Sequence, residues 1–580
     1  MTYTDTIVGR RRLSGLVVVV ALAVAILAGR LVQLQLLDHS IYLAQATRTQ
    51  SRKYEVPPER GEIYALDGDS TSPLVLNQTL ATLYADPRYV NDKAGTAAKL
   101  ATITGGSAAS YQKLLSAGGE YVVLTKRLDQ PTSDKIKQLN LAGVGLSDAN
   151  YRLYPEGTLA SQLLGFVNDD GVGQYGVEGY LNKELAGTPG TLKATTDVNG
   201  IPIATANNYL RSPVNGQSVV LTIDRNIQAQ AEKYIAQGVQ SNGAVSGSVV
   251  VVDPNTGAIK AMANYPTYDP SNYSSVTNYS LFQNAVVSDA FEPGSGFKMF
   301  TMSAGLDTGK VTPDTTYNDT GSFTVDGYVV KNAEGKSYGV SSMSKVILFS
   351  LNTGAMFVLR MLGGDPNLIN HTGKQVLYDY ITAHFGFGAK TGIEQAYESA
   401  GKVNPPSSSD VNYANMAFGQ GISVTMLQMT MAASAIANGG KLYKPYLVDK
   451  VIAPNGTTVT TKPTLVRDHV ISATTASQLT TMLEAVVTNG TGRATNLPGY
   501  QVAGKTGTAQ IPNPTGLGYL ANKNIGSFTG FAPVGDPQFV MMVRINEPTT
   551  PGFAESTTVP VFAQIAQWLL RYYAVPPSGQ

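Results

Sequence analysis

Cysteine is missing altogether from these 580 residues, which removes disulfides, thiolate nucleophiles, zinc–thiolate sites and a lipid-modified cysteine anchor at once. Histidine is nearly as scarce. The 4 present, His39, His371, His384 and His469, are scattered, with none in a metal-ligand spacing or beside a candidate nucleophile. No metal centre is expected, and a Ser-His-Asp triad is poorly supported. Charge is sparse as well: charged residues make up 14% of the chain and the formal net charge is +1. No global field therefore draws nucleic acid or repels an acidic surface, and partners have to be inferred from local sites. Internal repeats and low-complexity tracts are absent. The length exceeds what one ordinary core supports, so at least two domains are expected.

One long apolar run is present. Arg10, Arg11 and Arg12 precede LSGLVVVVALAVAILAG and then RLVQLQLL, a mostly apolar helix from Leu13 to Leu37. At about 1.5 Å per residue the stretch before Arg30 covers about 25 Å, and one further turn reaches the thickness of a bilayer core if that arginine snorkels. The basic cluster on its N-terminal side puts residues 1–12 in the cytoplasm and everything downstream outside. The competing reading is a cleaved signal peptide with a site at Ala23-Val24-Ala25. The apolar run is longer than a signal core, which favours an uncleaved, single-pass anchor.

Residues 48–200 alternate β-like runs (YEVPP, LVLNQTLATLYADP, YVVLTKRL) with helix-like ones (SYQKLLSAG, SDKIKQLNLAG) and show no chemical cluster. They read as an elongated, membrane-proximal pedestal of dimerisation-like type. A linker is expected around Asn199 to Gly216. Residues 217–573 form a second domain, followed by a tail at 574–580. In it SVVLTID, a helix-like RNIQAQAEKYIAQGVQ and GSVVVVDPNTGAIKAMANYP follow one another, the last split into a hairpin by Asp253 to Gly257. Strand-like stretches near Val502 and at QFVMMVRINEP flank a long middle with helical periodicity, and VFAQIAQWLLRYY closes the chain as an amphipathic helix. The expected fold is α+β: a largely antiparallel sheet with a helical cluster inserted between strands from the two ends of the domain.

GYQVAGKT, from Gly499, fits the phosphate-loop pattern without a mismatch. That loop needs a buried strand before it and a helix starting at Lys505-Thr506. The upstream TNGTGRATNLP is no buried strand, and GTAQIPNPTG downstream carries glycine and proline where a helix should propagate. Nucleotide binding is excluded on those grounds. Read as a strand, the segment puts Lys505 and Gly507 on one face, with the glycine admitting a ligand backbone. Lys505, Thr506 and Thr508 then make a seat for a carboxylate.

Two further stretches complete a constellation. In EPGSGFKMF, Ser295 and Lys298 are three apart, so on a helix the amine approaches the hydroxyl. Serine becomes a nucleophile only when a base takes its proton, and a lysine serves only when desolvation or a neighbouring cation such as Lys505 lowers its pKa. In ILFSLNTG, a loop after an apolar helix presents Ser350 and Asn352 together. Each motif alone is weak. Their order, S-x-x-K then S-x-N then K-T-G, is specific.

With these motifs, and with ERGEIYALDG, YGVEGYLNKELAGTPG, FGFGAKTGI, AFGQGISVTMLQM and GSFTGFAPVGDPQFVMMVRINEP, the sequence resembles a class B penicillin-binding protein over almost its whole length, most closely the cell-division branch. The resemblance implies a penicillin-binding, serine β-lactamase-like fold and a D,D-transpeptidase inhibited by β-lactams. It implies that Ser295 attacks the penultimate D-alanine carbonyl of a peptidoglycan stem peptide ending in D-Ala-D-Ala. Lys298 would be the general base, Ser350 would pass the proton to the leaving amine, and Asn352 would orient Lys298 and the substrate amide. Lys505, Thr506 and Thr508 would grip the terminal carboxylate, with Gly507 between them, and the backbone N–H groups of Ser295 and Thr508 would form the oxyanion hole. An amine from a second stem peptide would resolve the acyl-enzyme into a 4,3-type cross-link. No metal or organic cofactor is implied. The implied partners are a membrane glycosyltransferase and other proteins of the division machinery.

The chain departs from the family pattern in three places. Glycine follows Ser295 where threonine is usual, leucine follows Ser350 where serine is commoner, and AEST near Ala554 replaces paired glycines. No counterpart of the deacylating glutamate of class A β-lactamases is evident. The same fold serves D,D-carboxypeptidases, β-lactamases and β-lactam sensors, and a non-catalytic division scaffold is a further alternative.

Overall fold

The computed structural model describes residues 4–42, 51–195, 209–513, 516, 518–549 and 553–577. Most of the linker expected around Asn199 to Gly216 lies outside these residues, as do the outermost parts of both expected tails and residues 48–50 and 196–200 of the expected pedestal. Contacts divide the chain into two units, Met1–Glu59 with Gly187–Asn215, and Arg60–Ala186 with Gly216–Gln580.

The first unit holds the apolar helix Thr4–Val32, continued by a π-helical turn Gln33–Leu37. Within it Arg12–Leu37, 26 residues of mean hydropathy 2.6, is long and apolar enough to cross a membrane. The unit also holds a three-stranded antiparallel sheet in the order Ser51–Val56, Gly190–Thr195, Tyr209–Arg211.

The larger unit contains two principal sheets. The first runs Thr458–Thr460, Val448–Ile452, Ser218–Asp224, Ile63–Asp67, Ser70–Ala85, Val122–Leu128, with Val144–Leu153 also pairing to Ser70–Ala85. SVVLTID, which opens the second expected domain, lies in this sheet. Ser218–Asp224 pairs parallel to Ile63–Asp67 and antiparallel to Val448–Ile452. Its side chains are buried from Val219 to Asp224, the pattern of a strand covered on both faces, which fits an interior place in either sheet. Asp224 then caps the helix Arg225–Ser241, accepting from the Asn226 and Ile227 N–H groups. Beside this sheet Glu178, fully buried, accepts from Arg60 Nε and Arg152 Nε, each at 2.8 Å.

The second sheet is antiparallel throughout, in the order Ile259–Tyr265, Ser246–Val252, Phe539–Asn546, Tyr519–Ala532, Ala503–Pro512. It draws strands from both ends of the domain, with the helices between them, as the periodicity implied. The expected hairpin closes where Gly257 N–H donates to the Asp253 carbonyl at 2.9 Å and Thr256 Oγ1 to Asp253 Oδ2 at 2.7 Å. Period-two alternation sends Val249, Val251, Met541 and Val543 to a core under the helices Arg225–Ser241 and Ala554–Tyr572. Val250, Val252, Val540 and Met542 face the opposite core, which holds Met299 and Met429 of the helical cluster. Each such fully buried side chain contributes about 1.5–3 kcal/mol. Both faces of the sheet are thereby covered, and its edge strand Ala503–Pro512 is left beside the helical layer.

Candidate active site

Ser295 lies in a 3-10 turn, Gly294–Phe297, that runs directly into the α-helix Lys298–Asp307. Residues three apart eclipse one another in a 3-10 turn, closer than on an α-helix. Lys298 Nζ accordingly donates to Ser295 Oγ at 2.9 Å. The turn is anchored on two sides. Gly294 N–H donates to the Gly419 carbonyl at 2.9 Å, and Phe291 exchanges two backbone hydrogen bonds with Val424. Gly294 has φ +55, and a Cβ there would stand 2.5 Å from the Thr508 carbonyl oxygen, so both the conformation and the space demand glycine.

The apolar run MSKVILFSLNTGAMFVLRML forms two helices, Met343–Leu348 and Asn352–Leu362, broken at Ser350. Ser350 has φ 61, a left-handed conformation that costs a non-glycine residue of order 1–3 kcal/mol. The break is held in place by Lys298, whose Nζ donates to the Ser350 carbonyl at 2.6 Å and to its Oγ at 3.1 Å. From the other side Lys505 Nζ donates to Ser350 Oγ at 3.1 Å and to Thr506 Oγ1 at 3.3 Å. One serine hydroxyl is therefore shared by two lysines.

Both lysines are shut away from solvent, at 1% exposure for Lys298 and 0% for Lys505. Burial first, and then the Lys505 charge, push the Lys298 pKa well below the usual lysine value. Burial likewise brings Lys505 down to about 7, against a smaller opposing pull from the Glu555 carboxylate. The arrangement favours the neutral form of the amine on the Ser295 hydroxyl and places, behind Ser350, a second amine that is charged when conditions or an anionic ligand favour it.

Ser295, Ser350, Asn352, Thr506 and Thr508 line an open cleft of about 1010 Å³. Gly507 is not part of that lining. It sits on the edge strand Ala503–Pro512, where a Cβ would come within 2.7 Å of the Pro293 carbonyl oxygen and 3.3 Å of the Gly296 nitrogen. The glycine thus admits the turn carrying Ser295, and the expectation that it admits a ligand backbone is corrected. Asn352 also differs from expectation. Its Nδ2 donates to the Lys331 carbonyl at 2.7 Å, and among the described residues no hydrogen bond joins it to Lys298. As the first residue of a helix, its side chain turns toward the neighbouring hairpin strand Tyr328–Lys331. The backbone N–H of Ser295 lies in the first turn of its helix, where such groups lack an intrahelical acceptor.

Sequence reading missed several residues of this cleft. Thr491 Oγ1 lies 2.8 Å from Thr506 Oγ1, Tyr338 stacks on Phe349 with ring centroids 5.3 Å apart, and Glu555 lines the wall. Only Glu555 had a signal, the AEST departure. The other three depend on loop placement that no spacing encodes.

A serine, a desolvated lysine at its hydroxyl, a second serine shared with a second lysine, and an edge strand running past all of them define a serine acyl-transfer site on a sheet-and-helix scaffold. Residues 247–567 match the penicillin binding protein transpeptidase domain and residues 55–221 the penicillin-binding protein dimerisation domain. The chain belongs to the class B penicillin-binding proteins. It is 33% identical over 534 residues to stage V sporulation protein D of Bacillus subtilis, covering 91% of this chain and 80% of that protein. It is 29% identical over 570 residues to peptidoglycan D,D-transpeptidase FtsI of Escherichia coli, covering 97% and 91%. Among solved structures, penicillin-binding protein 3 of Mycobacterium tuberculosis complexed with aztreonam is similar at a TM-score of 0.69 and 29% identity, over 90% of this chain and 98% of that one.

Proposed function

We propose that this protein is a serine D,D-transpeptidase that cross-links peptidoglycan stem peptides through an acyl-enzyme on Ser295, and that it acts at the division septum. The observation that carries the reading is the position of Lys298 Nζ, on a buried side chain, 2.9 Å from Ser295 Oγ and 3.1 Å from Ser350 Oγ. Neutral Lys298 takes the Ser295 proton as Oγ bonds to the penultimate D-alanine carbonyl carbon. The backbone N–H groups of Ser295 and Thr508 receive the oxyanion, a contribution of about 3–4 kcal/mol per donor in comparable sites. As the peptide C–N bond breaks, the proton passes through Ser350 to the leaving D-alanine amine. Lys505, Thr506 and Thr508 hold the terminal carboxylate, and Asn352, hydrogen-bonded to the Lys331 carbonyl, lines the same cleft.

The relative named a peptidoglycan D,D-transpeptidase supports this reaction, and the resemblance of AFGQGISVT to the cell-division branch supports the septal role. Solved relatives complexed with aztreonam and with ampicillin support β-lactam binding. Residues 13–37 serve as an uncleaved anchor with the N-terminus cytoplasmic, residues 48–200 as the pedestal and residues 217–573 as the catalytic domain outside the membrane. A membrane glycosyltransferase is the partner that the family resemblance favours.

Covalent labelling with a fluorescent penicillin tests the assignment. Wild type is expected to label and Ser295→Ala to be dark. Equal labelling of the two overturns the nucleophile, and an acyl-enzyme that turns over within seconds makes the protein a hydrolase.

A further inference from the structure

Glu555 is an acidic side chain placed where the proposed donor substrate least needs one. It lies in the first turn of the helix Ala554–Tyr572 and lines the cleft together with Ser295, Thr506 and Thr508. The helix start is tied to the edge strand, because Ala554 N–H donates to Thr508 Oγ1 at 3.2 Å. Among the described residues no hydrogen bond or ion pair engages the Glu555 carboxylate. It is close enough to Lys505 for each to act on the other's ionisation: Lys505 pulls the Glu555 pKa down against the larger effect of desolvation, and Glu555 raises that of Lys505. Another lysine of the cleft, Lys523, is paired with Glu547.

A carboxylate beside Lys505, Thr506 and Thr508 repels the terminal carboxylate of a donor peptide. The donor must carry that group regardless. The second substrate need not, and it arrives as a cation. Donor and acceptor also occupy the same place in turn. The C–N bond broken in the first half-reaction and the C–N bond made in the second meet the same acyl carbon. Groups on the carbon next to the acceptor nitrogen therefore fall where the leaving D-alanine held its carboxylate, beside Glu555.

We propose that Glu555 is a specificity-determining residue for the acceptor, selecting an amine whose neighbouring carbon bears no free carboxylate. A lysine- or ornithine-type side chain, or a diamino acid amidated at that carbon, has this chemistry. Glu555 attracts the incoming ammonium. The ammonium releases one proton to solvent, and the free amine then bonds to the acyl carbon. The bond from that carbon to Ser295 Oγ breaks, and the second nitrogen proton passes to Oγ. The proposal rests on the transpeptidase reading and names the second substrate of that reaction.

The test uses the full chain in detergent, a D-alanyl thioester as acyl donor, and two acceptors that differ at one group, D-alanine and D-alaninamide. Wild type sets the reference preference, the ratio of transfer to D-alaninamide over D-alanine, in which Glu555 opposes the carboxylate and the Lys505, Thr506 and Thr508 seat favours it. In Glu555→Gln that ratio falls by about five-fold, the scale of a partly exposed charge pair, and the change lies in the acceptor KM. Comparing variants cancels the intrinsic reactivities of the two amines. Glu555→Asp, which keeps the charge, retains the preference in the same direction. A penicillin-labelled Glu555→Gln with an unchanged acceptor ratio overturns the assignment and leaves the transpeptidase reading standing. A longer acyl-enzyme lifetime in Glu555→Gln without any amine overturns it too, because the carboxylate would then be acting on water. A wild type that no penicillin labels overturns the transpeptidase reading itself.

Discussion

Lys298 and Lys505 donate to the same oxygen: each Nζ, on a fully buried side chain, lies 3.1 Å from Ser350 Oγ in the lining of the cleft. Two ammonium groups at that separation repel strongly, so the pair favours one charge over two. The division of labour follows from which lysine is more easily discharged. Lys298 is lowered by burial and by its neighbour, and Lys505 is pushed down to about 7 by burial with Glu555 opposing.

Acylation should therefore have a bell-shaped pH profile. The proposed base acts only when neutral, so the rate rises with pH through the Lys298 ionisation. The carboxylate seat works only when charged, so the rate falls as pH passes through the Lys505 value of about 7. Lys505→Arg keeps its charge throughout this range and is expected to lose the alkaline limb while retaining the acid one. Second-order rate constants for penicillin labelling, measured from about pH 5 to about pH 10, check both limbs.

Gly507→Ala is expected to impair acylation without touching any proposed chemical group. Its Cβ would meet Ser527 Oγ at 2.4 Å and the Pro293 carbonyl oxygen at 2.7 Å. The serine hydroxyl can rotate away, but the carbonyl belongs to the turn that carries Ser295. Displacing that turn by a fraction of an ångström to an ångström should slow acylation by about 100-fold. The strain should also cost about 1–3 kcal/mol of stability. Labelling rate and melting temperature, measured on the same preparation, separate the two effects.

Asp319→Asn should loosen the loop that presents Ser350 and Asn352. Asp319 is 1% exposed. It accepts from the Gly321 N–H at 2.9 Å, the Tyr338 N–H at 2.8 Å, Asn332 Nδ2 at 3.0 Å and Thr353 Oγ1 at 2.8 Å. Thr353 directly follows Asn352, and Lys331, which accepts from Asn352, directly precedes Asn332. An amide turns one of these acceptors into a donor facing donors, at a cost of about 1–3 kcal/mol. A lower unfolding midpoint together with slower labelling is the expected result. An unchanged midpoint would show that the network is not needed to hold the loop.

The site was legible to different depths. Ser295 and Lys298 could be paired from spacing alone because a helical turn brings positions three apart together whatever surrounds them. The hairpin at Asp253 to Gly257 was equally local. Ser218–Asp224 was recognisable as a strand, but its partners Ile63–Asp67 and Val448–Ile452 are far away in the chain, and pairing is a choice among all available edges. The phosphate-loop match of GYQVAGKT failed for a local reason, the missing helix, and Ala503–Pro512 is a strand at the sheet edge.

What the sequence determined by itself was the inventory and its local geometry: one long apolar helix, no thiol, a serine beside a lysine, a glycine-flanked strand carrying Lys505. These rest on short-range sterics and periodicity, which need no distant partner. Only the tertiary structure decided that Ser350 is strained and shared between two lysines. It also decided that Gly507 admits a backbone turn, that Asn352 faces Lys331, and that Glu555 lines the cleft near enough to Lys505 to raise its pKa. Each of those depends on burial and on approaches between segments tens to hundreds of residues apart. Desolvation, which favours the neutral form of Lys298 and so frees it to take a proton, exists only once the chain has closed around it.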